Sequence, residues 1–174
     1  MASLVLLALG AFALLLVGAA AQFSRLVPDV PLLFAVSLAL RVGGARAVLA
    51  AAALGYGADL LSGAPFGFHA LLSVGAFALA RGADRSLDLR RPVAVAALVA
   101  LLAPLYHLAA IALGQLGGIP IEVGFGTGVG IGLRALLDAA AAPLVDAVAR
   151  AVSRSGDEEL GRRATPLGGG RRTA

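Results

Sequence analysis

Fourteen positive charges, all of them arginine, lie between the long apolar stretches of this 174-residue chain and rarely within them. A chain that crosses a lipid bilayer several times retains arginine in its cytoplasmic loops. A water-soluble domain has no reason to collect charge at the breaks in its hydrophobicity. The pattern therefore predicts a polytopic membrane protein.

The composition agrees with this interpretation. Hydrophobic residues make up 60% of the chain and charged residues 14%, against roughly 45–50% and roughly 25% in soluble domains. At about 20 residues per crossing, the length admits at most six spans in a single domain. We therefore expect an all-α bundle of six transmembrane helices over residues 1–152, with no separate soluble catalytic domain.

The apolar runs locate these spans. The second is the weakest, because the uncharged piece between Asp29 and Arg41 is only about 16 Å long as a helix, against a hydrocarbon core of about 30 Å. Either Asp29 lies at the interface of a thinned bilayer, or this segment does not cross. Residues 153–174, rich in glycine and arginine, are predicted to be a disordered tail. The six predicted spans are about 2–22, 26–42, two within 47–80, 92–115 and 123–152.

The arginines also predict an orientation. With six spans and an inside N-terminus, nearly all of them fall on the cytoplasmic side; Arg25 lies outside and Arg134 lies within a span. Five spans with an outside N-terminus fit the charges as well. Both topologies place the C-terminus in the cytoplasm. The net charge of +4 then reflects topology, and we expect no nucleic-acid partner.

A few polar side chains are expected at membrane depth, where each charge is costly. Asp59 is either a solvated or turn-capping residue or a packed polar contact that organises a helical hairpin, and His69 is expected to be a packing residue. Arg134 and Asp138 are four residues apart on one helix face, which predicts a structural ion pair or, alternatively, a site for an anionic ligand or head group. Asp146 is expected to be exposed near the inner interface.

The sequence offers no arrangement that points to catalysis. It has no cysteine, no Gly-x-Ser-x-Gly turn, no HExxH helix and no paired intramembrane aspartates. We expect neither enzyme activity nor a cofactor. Asp59, His69 and His107 are suitable ligand types, but no helical spacing joins them, so a metal site is not favoured.

Glycine and proline suggest close helix packing at two places. In the bend of the hairpin, Gly63, Pro65 and Gly67 are expected to let the third and fourth spans approach each other. Glycine also alternates over residues 124–132. No strand precedes that run and no lysine follows it, so helix packing is favoured over phosphate binding.

The segment from Gly55 to Leu71, GYGADLLSGAPFGFHAL, resembles a signature of the rod shape-determining protein MreD family, G-x(3)-D-x(3)-G-x-P-x-G-x-H-A. Its matching positions include Asp59, Gly63, Pro65, Gly67 and His69. The upstream pair Pro28-Asp29, the total length and the arginine-bounded break are also similar to that family. The resemblance covers about residues 26–113, and the glycine run and the tail fall outside it.

The resemblance implies a six-helix inner-membrane protein, similar in fold to the substrate-binding subunits of energy-coupling-factor transporters. Such a protein acts without catalysis in the bacterial cell-elongation machinery. It binds MreC, a single-span membrane protein, and supports rod-shape maintenance and peptidoglycan synthesis by RodA and its transpeptidase along MreB filaments. The outer faces of the first three spans are the first places to expect the partner.

The alternative is a small-molecule-binding membrane subunit of a transporter. Its candidate residues are Asp59, His69, Arg134 and Asp138, placed around a water-filled pocket. The two hypotheses predict different interiors. A polar cavity large enough for a ligand favours transport, and a filled interior with an apolar lateral groove favours a scaffold.

Overall fold

The computed structural model describes residues 27–62, 65–87, 89, 91–118 and 124–164, together with single positions between 5 and 16; side chains are described as far as residue 152, except that of Phe125. The described residues form helices and no strand, so the predicted all-α class is confirmed. The helices are α1 (Val30–Arg41), α2 (Gly44–Ser62), α3 (Phe68–Asp84), α4 (Pro92–Leu116) and α5 (Phe125–Ala164).

Helix α1 begins and ends at local signals in the sequence. The Asp29 side chain accepts a hydrogen bond from the Leu32 backbone N–H at 3.2 Å, and Pro31 occupies the first turn. A side-chain acceptor satisfies an N–H that has no partner within the helix, and proline at this position loses no hydrogen bond. The helix ends where the Gly43 N–H returns to the Leu38 carbonyl at 2.9 Å, with Gly43 at φ +64°.

Helix α1 forms the centre of the bundle. Every residue from Val30 to Leu40 is buried, and the helix contacts α2, α3, α4 and α5. A sequence that is apolar except for Ser37 and has no polar face is typical of a helix buried on all sides. The twelve residues extend about 18 Å, so the weakest predicted span is a short, enclosed helix.

The predicted hairpin is formed by α2 and α3, and both helices pack against α1. Helices α2 and α3 pack against each other across the break that follows Ser62, and Phe68 begins the return helix. Helix α4 begins at Pro92 and ends at Leu116, one residue beyond the predicted end. The glycine and proline breakers therefore predicted these boundaries well.

Helix α5 is longer than predicted. It continues to Ala164, so residues 153–164 are helical where a disordered tail was expected. The sequence offers a physical reason, because Glu158 precedes Arg162 and Glu159 precedes Arg163 by four residues, an order of charges that favours helix. The remainder of the predicted tail, 165–174, lies outside the described residues.

The glycine run at the start of α5 does not serve the predicted close packing within the described chain. A Cβ added at any of its five glycines would meet no neighbouring atom within 4 Å. The helix begins in this region with the Thr127 N–H donating to the Gly124 carbonyl at 3.0 Å. The side of each of these glycines on which a Cβ would lie therefore faces open space.

Among the described helices, two are long and apolar enough to cross a membrane: Pro92–Leu116 and Gly126–Val152. Length and apolarity of this kind weakly support a membrane location. The predicted bundle of six spans stays a prediction, and most of the first predicted span, 2–22, falls outside the described residues.

Candidate functional site

Asp59 lies inside the hairpin and holds the beginning of α3. Its side chain is fully buried. Oδ2 accepts the Gly67 backbone N–H at 2.9 Å, and Oδ1 accepts the His69 backbone N–H at 2.7 Å. The first N–H groups of a helix have no partner within it, and a carboxylate placed there also interacts favourably with the helix dipole. Asp59 on α2 therefore caps α3.

The His69 ring completes this contact. Its Nδ1 lies 2.8 Å from Asp59 Oδ1. An ionised carboxylate can only accept, so Nδ1 carries the hydrogen. Asp59 therefore combines parts of both interpretations: it caps the turn into α3, and it does so as a buried polar contact of the hairpin that includes the His69 ring.

Glycine permits the close approach of the two hairpin helices at a position other than the predicted ones. A Cβ on Gly55 would collide with the His69 carbonyl oxygen and lie 2.6 Å from the Ala70 Cα. Gly67 has no neighbour in that direction but adopts φ +88°, which favours glycine. Gly55 thus provides the contact and Gly67 the turn, while Gly63 lies outside the described residues.

Pro65, another residue of the motif in the bend, also has a local role. The Pro65 carbonyl accepts the Phe68 N–H at 3.1 Å, closing the turn that leads into α3. Upstream, Pro28 precedes the Asp29 cap in extended chain. Asp29 thus caps the beginning of α1, and Asp59, Pro65 and Gly67 form the beginning of α3.

Asp138 on α5 contacts the beginning of α1. Its side chain is 0% exposed, and Oδ1 accepts the Asp29 backbone N–H at 2.6 Å. The structure thus gives Asp138 a different partner from the predicted one. Arg134 acts on this carboxylate electrostatically. The donor is the backbone N–H of Asp29, just before α1 begins. The spacing of residues in the sequence could not reveal this contact.

Four buried polar atoms have no hydrogen-bond partner among the described residues. Polar groups buried in this way are uncommon, and each one calls for a physical explanation. They come from α3, α4 and α5, and His107 is partnered through its other ring nitrogen, which lies 2.8 Å from the Ala103 carbonyl oxygen. The four atoms are Ser73 Oγ, Tyr106 OH, His107 Nε2 and Asp138 Oδ2.

A second buried carboxylate joins α1 to α5. Asp146 is 0% exposed and receives two hydrogen bonds from Arg41, Nε to Oδ1 at 2.6 Å and Nη2 to Oδ2 at 2.9 Å. Arg150, one turn further along α5, contacts Oδ2 at 2.7 Å. Arg41 also donates to the Leu89 carbonyl at 3.2 Å. We call Arg41, Asp146 and Arg150 the arginine clamp.

The arginine clamp corrects the expectation that Asp146 is exposed. The i,i+4 spacing of Asp146 and Arg150 was a usable signal for pairing. Nothing in the local sequence indicates Arg41, which lies 105 residues away. The bidentate geometry matches the fork of a guanidinium to a carboxylate, which favours a fixed orientation of the two helices.

An apolar groove runs along the outside of the bundle between α3 and α4. Its volume is about 200 Å³. Gly75 is exposed there, and a Cβ on it would meet nothing within 4 Å. The groove is lined by Leu71, Leu72, Gly75, Ala76, Leu79, Leu102, Leu105, Tyr106 and Ala109.

Within the described residues, no three His, Cys, Asp or Glu side chains are grouped so that they could hold a metal ion. Comparison of the chain with protein-family models, with curated proteins and with solved structures gives no match. The geometry by itself defines a helical bundle with polar contacts inside and an apolar groove outside.

Proposed function

We propose that this chain is a non-catalytic integral membrane component of the bacterial cell-elongation machinery, as its resemblance to MreD implies. In this role it binds an MreC-like single-span protein and supports rod shape and peptidoglycan synthesis by RodA and its transpeptidase along MreB filaments. The observation that carries the proposal is the hairpin, in which the residues of the resemblance serve helix capping. The Asp59 side chain hydrogen-bonds to the His69 ring and to two backbone N–H groups. These polar groups are used to hold the fold together, which is what we expect of a scaffold.

The groove between α3 and α4 supports a lateral partner. Lipid is already apolar, so association of helices in a membrane depends on close packing and interhelical hydrogen bonds. A groove whose lining includes glycine and alanine has room for the side chains of a neighbouring helix. It lies on the fourth and fifth predicted spans, so we shift the proposed partner face there from the first three.

The proposal includes a multi-pass location in the inner membrane, with the C-terminus in the cytoplasm. The ends of the helices support it, because Arg41, Arg81 and Arg150 all lie where α1, α3 and the apolar part of α5 finish. Arg81 donates to the Ala39 carbonyl at 3.0 Å, close to the arginine clamp. Since the chain has no cysteine, single cysteines introduced at Arg85 and near the C-terminus can be labelled from one side only, and labelling from the periplasm would contradict this orientation.

A bulky residue in the groove tests the partner. Gly75→Trp should fill the groove without disturbing the bundle, and we expect the MreC-like protein to be lost from the complex purified from native membranes. Gly82→Trp is the matched control, because Gly82 is also exposed on α3 with open space around it and does not line the groove. Cells relying on Gly75→Trp should lose rod shape, and cells relying on Gly82→Trp should keep it.

The alternative function, a small-molecule-binding subunit of a transporter, is favoured by one observation. The four unpartnered polar atoms inside the bundle are what a polar ligand would use. Depletion of the protein separates the two functions. Loss of nutrient uptake with normal cell shape and wall insertion would replace the scaffold proposal with transport.

A further inference from the structure

Arg81 lies in the last turn of α3 and reaches the end of α1. Its Nη1 donates to the Ala39 carbonyl at 3.0 Å and to Asp84 Oδ2 at 3.2 Å. Both contacts use the same nitrogen, and Nε and Nη2 have no hydrogen-bond partner among the described residues. The side chain is 43% exposed, so a group from outside the chain can reach these two donors.

Arg41 shows what this edge of a guanidinium binds. Arg41 uses its Nε and Nη2 to hold the two carboxylate oxygens of Asp146 at 2.6 and 2.9 Å. The spacing of these donors matches a pair of oxygens on a carboxylate or a phosphate. The same edge of Arg81 lacks such an acceptor among the described residues, so it is suited to an anion that the chain does not supply.

A glycine turn between α1 and α2 makes room for Arg81. A Cβ on Gly43 would lie 2.9 Å from Arg81 Nη2 and 3.1 Å from its Cζ, so the guanidinium lies where a side chain would otherwise be. The next residue, Gly44, is exposed, and a Cβ there would meet nothing within 4 Å. The turn thus places Arg81 Nη2 close to a position with open space beside it.

Positive charge exceeds negative charge at this end of the bundle. The Ala39 carbonyl that Arg81 contacts lies two residues before the arginine clamp, which has two guanidinium groups and one carboxylate. Arg81 itself is paired with Asp84, and Arg46 is exposed at the beginning of α2. The group as a whole carries an excess of positive charge, which attracts an anion.

The exposed side of α2 continues from Arg46 as an apolar stripe. Leu49, Tyr56 and Leu60 are exposed, and intervals of three, seven and four residues keep them on the same side of the helix as Arg46. From Leu49 to Leu60 the stripe is about 16 Å long, close to half of a hydrocarbon core of about 30 Å. A soluble anion uses only the charged end, whereas a phospholipid also places its acyl chains along the stripe.

We propose that Arg81 binds the phosphodiester of an anionic phospholipid through Nε and Nη2, with Arg46 as a second cationic contact. Basic pockets between helices at the cytoplasmic interface suit anionic head groups. The inference rests on the membrane location and orientation in the proposed function. It is independent of the MreC-like partner, whose proposed groove lies between α3 and α4.

Native mass spectrometry of the purified protein tests the proposal. The protein in detergent is titrated with phosphatidylglycerol and, separately, with phosphatidylcholine of the same acyl chains, which is neutral overall. We expect phosphatidylglycerol to bind about fivefold more tightly or better. Equal binding of the two lipids would overturn the proposal, and a melting temperature that rises in inorganic phosphate relative to chloride would then identify soluble phosphate as the anion.

Arg81→Lys is the decisive variant. Lysine keeps the charge and can donate to the Ala39 carbonyl, but it lacks the paired donors of Nε and Nη2. We expect its affinity for phosphatidylglycerol to fall about tenfold, the effect of losing one charge-assisted hydrogen bond. Arg85→Lys, the same change at an exposed arginine four residues later, is the matched control and should bind as the wild type does. Wild-type affinity of Arg81→Lys, or an equal fall in Arg85→Lys, would overturn the proposal.

Gly43→Ala tests the same edge with Arg81 unchanged. Its Cβ would displace the guanidinium, so the affinity for phosphatidylglycerol should fall. Gly44→Ala is the control, because its φ of +74° is close to the +64° of Gly43 and its Cβ would not touch Arg81. Backbone strain should lower the two melting temperatures alike, so the lipid affinity separates the variants. A Gly43→Ala protein that binds phosphatidylglycerol as tightly as Gly44→Ala would contradict the role of the Arg81 edge.

Discussion

At the scale of single residues, one carboxylate fixes how a helix begins. Asp59 accepts two backbone N–H groups at the start of α3 and contacts the His69 ring as well. An ordinary cap comes from the residue just before the helix, whereas this one reaches across from α2. The turn before α3 therefore depends on the position of α2. Substitutions in the turn are tolerated only if the Gly67 and His69 N–H groups stay within hydrogen-bonding distance of Asp59.

We predict that Asp59→Ala destabilises the fold strongly. A fully buried donor left without a partner costs about 1–3 kcal/mol. Asp59→Ala leaves two backbone donors and a ring nitrogen on the half-buried residues Gly67 and His69, so each contributes less than this full cost. Asp59→Asn should lose less, because it keeps one acceptor oxygen. Thermal melting in detergent measures the effect, with the partly exposed Asp84→Asn as the control. Equal melting of Asp59→Ala and the control would contradict the capping role.

At the scale of elements, the crossing of α2 and α3 depends on one missing side chain. Gly55 faces the backbone of His69 and Ala70, which cannot turn aside as a flexible side chain can. The bend residues set the direction of the return helix, and Gly55 sets how closely it approaches.

We predict that Gly55→Ala separates the two helices and lowers stability by about 1–3 kcal/mol, as overpacking does. Gly75→Ala is the matched control on α3, where a Cβ meets open space. There, alanine should be neutral or stabilising by up to about 1 kcal/mol through its higher helix propensity. The difference between the two melting temperatures is the measurement, and a Gly55→Ala protein as stable as Gly75→Ala would rule out the tight crossing.

Local sequence predicted the elements better than it predicted their contacts. The ends of α4 and the hairpin break follow from Pro92 and from a run of glycine and proline, whose effects act within a few residues. The Gly55 contact and the burial of Asp146 depend on residues brought together by the packing of helices. Asp138 illustrates the difference, because its spacing to Arg134 gave no indication of its hydrogen bond to the Asp29 backbone, 109 residues away.

At the scale of the whole molecule, the arginine clamp joins the first described helix to the last. Asp146 lies between two guanidinium groups, and its removal leaves both without that counterion. Breaking a buried ion pair from one side costs about 3–5 kcal/mol. The arginine clamp therefore fixes the positions of α1 and α5 relative to each other at this end of the bundle.

We predict that Asp146→Ala destabilises more than Arg41→Met, because Asp146 keeps Arg150 as a partner when Arg41 is replaced. The double variant should be less harmful than the sum of the two, with a coupling of about 0.5–3 kcal/mol. Melting temperatures of the four proteins complete the cycle. Strict additivity would show that the clamp contributes no interaction of its own.

The enclosed position of α1 has a consequence for biosynthesis. The ribosome makes this helix early, but the carboxylates that receive Asp29 and Arg41 follow 109 and 105 residues later. At about 5–20 residues per second, the helix waits several seconds for them. For a chain inserted into a bilayer as we propose, a segment this short and charged at its ends is expected to wait at the insertion machinery or at the membrane surface until α5 supplies these carboxylates.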